Sequence, residues 1–331
     1  MTQQPEETSL IQKYLAPLAG PAGLNLKDDA ACLTPKPGTD LVLTADTIVA
    51  DVHFIASDSP FDIAIKAITV NLSDLVAKGA QPVGYLVALS FPQKPDENWM
   101  AQFAAGLNIQ INGKLLGGDM TVSKGGPLTI TVTAVGEVPS GKMIRRSGAR
   151  AGDKIFVGGN IGSKAIGLKC AQNAEWAIGS GLDEDELSEL IEEYAAPLIA
   201  FPTELAHLVG VFASAGLDVS DGLVIDLQRL CTASELSAEV NLSDIPMHQS
   251  VRQLIGDDTA KLIDVITGGD DYIPLFTVAE ERLEAFRKDP TSQYCTMIGQ
   301  MMSGDKPVAF RQKDGNVLSL DGRSGYDHFS N

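Results

Sequence analysis

Six short runs of this chain set an Asp beside Gly, Ser, Thr or another Asp: KDDA (27–30), TADT (44–47), NLSD (71–74), GGDM (117–120), DVSDG (218–222) and GGDDY (268–272). An Asp among small residues is a hard oxygen ligand on backbone that another group can approach closely. A fold that gathers several of them can hold Mg²⁺ against phosphate oxygens. Gathering them also brings like charges together, which costs stability unless cations are present. Each run alone has a plainer reading as a β-turn or helix cap.

The order of apolar and polar residues divides the chain into strand and helix segments. LVLTADTIV (41–49) is rich in β-branched residues and predicts a strand. Ser59-Pro60 reads as an N-cap with Pro at the first helical position. The helix carries Ile65, Ile68, Leu72, Leu75 and Val76 at helical spacing and stops near Gly79. Asn71 and Asp74 lie three apart and share a face of it. PVGYLVALSFP (82–92) predicts a second strand, and a helix from Pro95 spaces Trp99, Phe103 and Leu107 four apart. LLGG (115–118) leads into an acidic turn at GGDM, and PLTITVTAVGEV (127–138) alternates as a strand. The polar connector RRSGARAGD (145–153) marks a domain boundary, giving domains 1–144 and 145–331. The second half has strands near 154–158, 238–242 and 273–278. Ser220 is expected to cap a helix through Leu223, Leu227 and Leu230. Both halves own acidic runs, so the site is expected in a cleft between them.

Composition narrows the chemistry. The chain has 331 residues, enough for two cores, and 25 Lys plus Arg against 43 Asp plus Glu give a net charge of −18. That balance argues against a nucleic-acid partner, which needs a basic face. It does not exclude phosphate ligands, because bound Mg²⁺ reverses the local field. Cys32, Cys170, Cys231 and Cys295 form no zinc spacing and no disulfide framework, and the first three read as core thiols. The first ten residues are no secretory signal, and no apolar run reaches membrane-spanning length. The expected compartment is the cytoplasm.

No GxxxxGK[ST] loop and no HRD or DFG set is present. His53, His207, His248 and His328 are too scattered for a zinc motif. What remains is oxygen-only chemistry, which suits Mg²⁺ better than a transition metal. DVSDG is the sharpest run: Asp218 and Asp221 flank Ser220 at a strand-to-helix junction, where free N–H groups can also face an anion.

The order of nine stretches resembles the thiamine-monophosphate kinase family over essentially the whole chain. They are KDDAACL (27–33), TADTIVADVHF (44–54), KAITVNLSDLVAKGAQP (66–82), LLGGDMT (115–121), RRSGARAGD (145–153), LDVSDGL (217–223), TGGDDY (267–272), IGQM (298–301) and GYDHF (325–329). The resemblance implies a two-domain PurM-like fold. Its N-terminal mixed-sheet α/β domain pairs with that of a second subunit in a homodimer, and its C-terminal domain is α+β. It implies transfer of the ATP γ-phosphoryl to thiamine monophosphate, with several Mg²⁺ ions. Carried over by position, Asp29, Thr44, Asp46, Asp74, Asp119, Asp218 and Asp221 match metal positions. Gly118, Asp119, Arg146 and Ser220 match ATP contacts, and His53, Asp270 and Tyr326 match contacts to the thiamine phosphate. The acceptor is already an anion, so no general base is required and none is assigned.

Plainer readings stand beside three of these. His53 reads also as a strand-end imidazole held by backbone, Tyr326 as a packing aromatic and Arg146 as an interdomain salt bridge.

The chain departs from the family pattern at several points. Lys27 replaces a Gly, Ala45 a Thr, Ser163 an Asp and Ile273 a Glu. EEYAAPLIAF (192–201) replaces a basic, double-proline segment ending in Arg. Two alternatives therefore stand beside the kinase: a relative of the superfamily using ATP on another acceptor, and a degenerate nucleotide-binding protein without turnover.

Overall fold

The computed structural model describes residues 6–111, 114–304, 306–320 and 322–326. The chain divides into two compact units: Met1–Leu75 with Ala80–Gly141, and Val76–Gly79 with Lys142–Asn331.

In the first unit, β1 (Thr39–Val49), α1 (Pro60–Ala77), β2 (Gln81–Phe91), α2 (Glu97–Leu107), β3 (Leu115–Val122) and β4 (Thr129–Pro139) follow in order. Their sheet runs β1-β4-β2-β3; β4 is antiparallel to both neighbours and β2 is parallel to β3. Helix α1 starts where the sequence indicates, with Ser59 Oγ accepting the Asp62 N–H at 3.1 Å. Asp96 Oδ1 accepts the Trp99 N–H at 2.7 Å and caps α2. Ile68, Leu72, Leu75 and Val76 of α1 are buried, as are Phe103 and Leu107 of α2. Each side chain of this size contributes about 1.5–3 kcal/mol by leaving water.

The two faces of this sheet differ. Val42, Ile48, Val87, Leu89, Ile130 and Val132 are buried. The alternate positions form rows across the other face, Ala45–Thr133–Leu86–Gly117 and Thr47–Thr131–Ala88–Asp119. That face is open, and Leu43 on it is 64% exposed.

GGDM is not a turn. It lies inside β3, and a Cβ on Gly118 would stand 1.7 Å from the Val87 carbonyl oxygen. The glycine there lets two parallel strands approach, so strand pairing rather than a turn explains the residue.

In the second unit a six-stranded sheet runs β10-β7-β9-β5-β8-β6. Its strands are β5 (Lys154–Val157), β6 (Ala213–Val219), β7 (Ser237–Asn241), β8 (Ile273–Val278), β9 (Thr296–Met302) and β10 (Ala309–Arg311). Helices α3 (Ser163–Gln172), α4 (Glu184–Ala195), α5 (Leu223–Ser234) and α6 (Thr259–Thr267) are among those that accompany it. One core joins Ile155, Leu217, Leu227, Val240, Leu275 and Ile298. Ala-Ser-Ala-Gly at the start of β6 has little intrinsic strand preference, so pairing with β8 sets its conformation. Cys170 and Cys231 are buried, but Cys32 is exposed and is not a core thiol. Its segment is irregular, and its N–H bonds the Ala22 carbonyl at 2.9 Å. Among the described residues no helix is long and apolar enough to cross a membrane.

Candidate active site

In the first unit the sequence places Thr44 and Asp46 two apart on a strand and Asn71 and Asp74 three apart on a helix. Each pair therefore shares one face. The fold brings the two faces together. Thr44 Oγ1 donates to Asp74 Oδ2 at 2.5 Å, and the Asp46 N–H donates to Asn71 Oδ1 at 3.1 Å. Asn71 is buried, and its Nδ2 donates to the Ala67 carbonyl at 3.2 Å, so one amide ties β1 to α1. His53 sits just past β1, where its Nδ1 accepts the Val49 N–H at 3.1 Å. The buried Lys66 ammonium holds the His53 carbonyl at 3.1 Å. Backbone thus fixes one ring nitrogen, as the plainer reading of His53 expects.

Asp119 is not part of this group. It lies on β3, three strands from β1 and about 14 Å across the sheet. Its side chain is exposed and shares the open face with Thr47, the face opposite Asp46. Asp29 is exposed in the segment that runs beside β3, where Gly20 N–H bonds the Leu115 carbonyl at 3.2 Å and Cys32 N–H bonds Ala22 at 2.9 Å. Asp29 and Asp119 therefore belong to one edge of the sheet, and Thr44, Asp46 and Asp74 to the other.

In the second unit one turn gathers most of the predicted residues. Val219 ends β6 and Leu223 starts α5, and Ser220, Asp221 and Gly222 make the connection. Gly222 has φ 120°, and a Cβ there would meet the Thr267 carbonyl oxygen at 2.8 Å, so only glycine fits. The helix N-cap is Gly222 and no side chain caps it, so Ser220 is not the cap that its position suggests. Asp226, in the first turn of α5, instead ties down the turn that precedes the helix. Its Oδ2 accepts the N–H groups of Ser220 and Asp221, both at 3.0 Å. Its Oδ1 accepts Arg229 Nη1 at 2.7 Å, and the same Nη1 donates to Asp221 Oδ2 at 2.5 Å. Burial pushes the Asp226 carboxyl above the usual range, against the hydrogen bonds that favour its ionised form.

Other predicted residues attach to this turn from outside. The Asp270 N–H donates to the Ser220 carbonyl at 2.8 Å, and the Tyr326 N–H to the Asp221 carbonyl at 3.0 Å. Tyr272 hydroxyl donates to Asp270 Oδ1 at 2.7 Å. Asp270 and Tyr272 both have positive φ, 69° and 49°, a conformation uncommon for residues with a side chain. Asp218 is buried on β6 opposite Pro274. Tyr326 is exposed; the last three residues of the GYDHF run lie outside the described residues. Arg146 is exposed and does not join this group. Its carbonyl accepts Ser234 Oγ at 3.2 Å at the far end of α5, roughly 18 Å from the turn along a helix rising 1.5 Å per residue. No side-chain ion pair of Arg146 occurs among the described residues.

Sequence reasoning missed Asp226, Arg229, Asp271 and Lys164. Asp271 is fully buried, and burial raises its carboxyl to about 8. Its Oδ1 accepts the Gly162 N–H at 2.8 Å, while Oδ2 and the nearby Ser163 Oγ are buried without a hydrogen-bond partner. Lys164 Nζ stands 3.5 Å from Glu193 Oε2. The signal for Asp226 was present, as an acid in the first turn of a helix. Nothing in GGDDY says which of its two acids is buried.

Among the described residues, no three predicted carboxylates meet at metal-binding distance within either unit. The tight group lies elsewhere: ligand atoms of Glu189, Glu193 and His248 fall within 4.8 Å of one another. His248 Nδ1 accepts the Ser250 N–H at 3.4 Å, which leaves its proton on Nε2, 3.3 Å from Glu189. With Lys164 beside Glu193, that group is an ion-pair network. The predicted donors are all oxygens, carboxylates and one hydroxyl, and so fit a hard cation such as Mg²⁺.

The departures are structural as well as chemical. Ala45 faces the open side of the sheet, Ile273 is core, and Ser163 begins α3. In 192–201, Tyr194 and Ile199 are buried, and the Phe201 ring packs on Tyr294 at 4.7 Å.

Comparison with known proteins fits this layout. Residues 27–138 match the family profile AIR synthase related protein, N-terminal domain, and residues 150–311 match its C-terminal domain. The chain is 36% identical to the thiamine-monophosphate kinase of Caulobacter vibrioides, over 92% of this chain and 87% of that one. It is 35% identical to that of Escherichia coli K12, over 98% of each. Among solved structures, the thiamine-monophosphate kinase of Stenotrophomonas maltophilia K279a superposes with a TM-score of 0.76 at 34% identity, covering 88% of this chain and 91% of that one. The structure described as AaThiL complexed with AMPPCP and TMP gives 0.73 at 26% identity, covering 98% and 94%. The hydrogenase maturation protein HypE, at 20% identity and a TM-score of 0.74, shares the fold. With its PurM-like fold and relatives this close over nearly its whole length, the chain belongs to the thiamine-monophosphate kinase family.

Proposed function

We propose that this chain transfers the γ-phosphoryl group of ATP to the phosphate of thiamine monophosphate, giving thiamine diphosphate and ADP. The observation that carries the reading is the stitched turn of the second unit, where Ser220, Asp221, Asp270 and Tyr326 are joined by backbone bonds of 2.8–3.0 Å. A solved relative binds AMPPCP and TMP, which supports the same pair of ligands here.

In this reading 1–144 is the ATP- and Mg²⁺-binding domain and 145–331 the C-terminal domain. Asp29, Thr44, Asp46, Asp74, Asp119, Asp218 and Asp221 hold Mg²⁺. When bound, Mg²⁺ supplies charge neutralisation between two polyanions. The protein's part is in-line positioning, since the acceptor oxygen already carries charge and no base must remove a proton. Gly118, Asp119, Ser220 and Arg146 contact ATP. Asp270 is held by Tyr272 toward the thiamine phosphate, Tyr326 offers a ring to stack on its heterocycle, and His53 completes the substrate side.

The test is ADP release measured by a coupled assay. ADP should form only when thiamine monophosphate and a divalent cation are both present. Equal ADP release with another acceptor would favour a different branch of the superfamily. ATP binding with no ADP from any acceptor would favour a protein that binds without turnover.

The homodimer belongs to the same proposal. The open sheet face, with Leu41, Leu43 and Leu86 exposed beside small residues, suits a second copy of itself. Sedimentation should show a dimer for the unmodified chain and a monomer for Leu43→Glu. A dimer of unchanged strength in the variant would move the interface elsewhere. Four unpaired cysteines agree with a reducing compartment such as the cytoplasm.

A further inference from the structure

Asp221 and Asp226 are treated differently by the fold although both lie at the start of α5. Asp226 is 1% exposed and both of its oxygens are committed: one to two N–H groups of the turn, the other to Arg229. It is therefore a structural anion and no ligand for an ion arriving from solvent. Asp221 is 28% exposed, and Arg229 donates to its Oδ2 at 2.5 Å. One guanidinium nitrogen, Arg229 Nη1, therefore touches both carboxylates, at 2.5 and 2.7 Å. Arg229 is itself 38% exposed. The acids that act on it are Asp221 and Asp226.

This arrangement carries a consequence for any divalent cation at Asp221. A cation and the Arg229 guanidinium compete for the single negative charge of Asp221, and they repel each other when both are held close to it. Arg229 has somewhere to remain when it lets go: the buried Asp226 still holds it. The exchange breaks one charge-assisted bond and leaves no charge unpaired. We propose that Arg229 is an exchangeable counter-ion for Asp221, occupying the carboxylate until a divalent cation replaces it and so setting how much cation the second unit requires. The inference rests on the reading of Asp221 as a cation ligand given above. Arg229 is a positioning residue here, acting through Asp221.

The experiment is a Mn²⁺ titration of the full chain without nucleotide, followed by loss of the free-ion electron paramagnetic resonance signal. It compares the unmodified chain, Arg229→Gln, Arg229→Lys, Asp221→Asn and the double variant. The phase that Asp221→Asn weakens defines the site. Arg229→Gln should lower the midpoint of that phase roughly three- to tenfold, the scale of a partly exposed ion pair. A merely structural arginine would shift it the other way, since loosening the turn weakens binding. Arg229→Lys keeps the charge without the fork and should fall between. In the double variant the effect of Arg229→Gln should vanish. If Arg229→Gln does not fold, as judged by its melting curve, Arg229→Lys alone decides. A midpoint equal to or above that of the unmodified chain overturns the proposal. If Asp221→Asn leaves every phase unchanged, the reading of Asp221 as a ligand fails, and the inference falls with it. If Asp221→Asn weakens the phase while Arg229→Gln does not strengthen it, the inference alone fails.

Discussion

Asp226→Ala is expected to destabilise the protein by about 3–5 kcal/mol and to abolish turnover. The change removes the acceptor of two turn N–H groups and strips Arg229 of its buried partner. The unpaired N–H groups each cost of order 1–3 kcal/mol if they stay dry. The turn would open instead, and Ser220 and Asp221 would lose the geometry that Asp270 and Tyr326 share with them. Asp226→Asn keeps one oxygen for the turn and should lose less stability. Denaturant unfolding, read alongside the ADP assay, checks both. An Asp226→Ala protein with unmodified stability would show that the turn is held by its other bonds, and the account of Asp226 would be wrong.

The second large effect is a pH dependence at Asp271. Its carboxyl is raised by burial from an ordinary 3.8 to about 8. Below pH 4 the folded and unfolded forms both hold the proton. Between about pH 4 and 8 the unfolded chain has lost it while the folded chain keeps it, so stability falls as pH rises. The slope for one group is at most about 1.4 kcal/mol per pH unit, and the loss stops above pH 8, where both forms are ionised. Asp271→Asn keeps the oxygen that accepts the Gly162 N–H but cannot ionise. The variant should therefore gain on the unmodified chain steadily from pH 5 to pH 8, with the two converging toward pH 4. Melting temperatures across that range measure the difference. Parallel curves would mean that Lys164 neutralises Asp271 in the folded state, so that no proton is taken up.

Most of the regular structure was legible in the sequence. Strand β1, helix α1 with its Ser59 cap, and strand β4 follow from local residue choice and period, and the structure agrees. The misses share a cause. GGDM reads as a turn because Gly-Gly-Asp is common in turns. It is a strand because the parallel neighbour β2 comes within reach of a residue that has no Cβ. Ser220 reads as a cap because Ser before a helix usually is one, yet Asp226 reaches back and takes both free N–H groups of the turn. The start of strand β6 was hidden because Ala and Gly prefer no strand until a partner pairs with them.

The acidic turns themselves, their order along the chain and the family they identify were determined by the sequence alone. Local chemistry is enough for that, since an Asp in a small-residue setting is an oxygen donor wherever the chain places it. Which acids face solvent and which are supports was decided only by tertiary structure. Asp221 and Asp226, or Asp270 and Asp271, differ little in their local sequence, but burial and hydrogen-bond partners come from whatever packs against them. Water reaches Asp221, whereas Asp226 and Asp271 are closed off by the core that gathers around them. The same carboxylate is open to solvent in one place and a structural anion or a proton holder in the other.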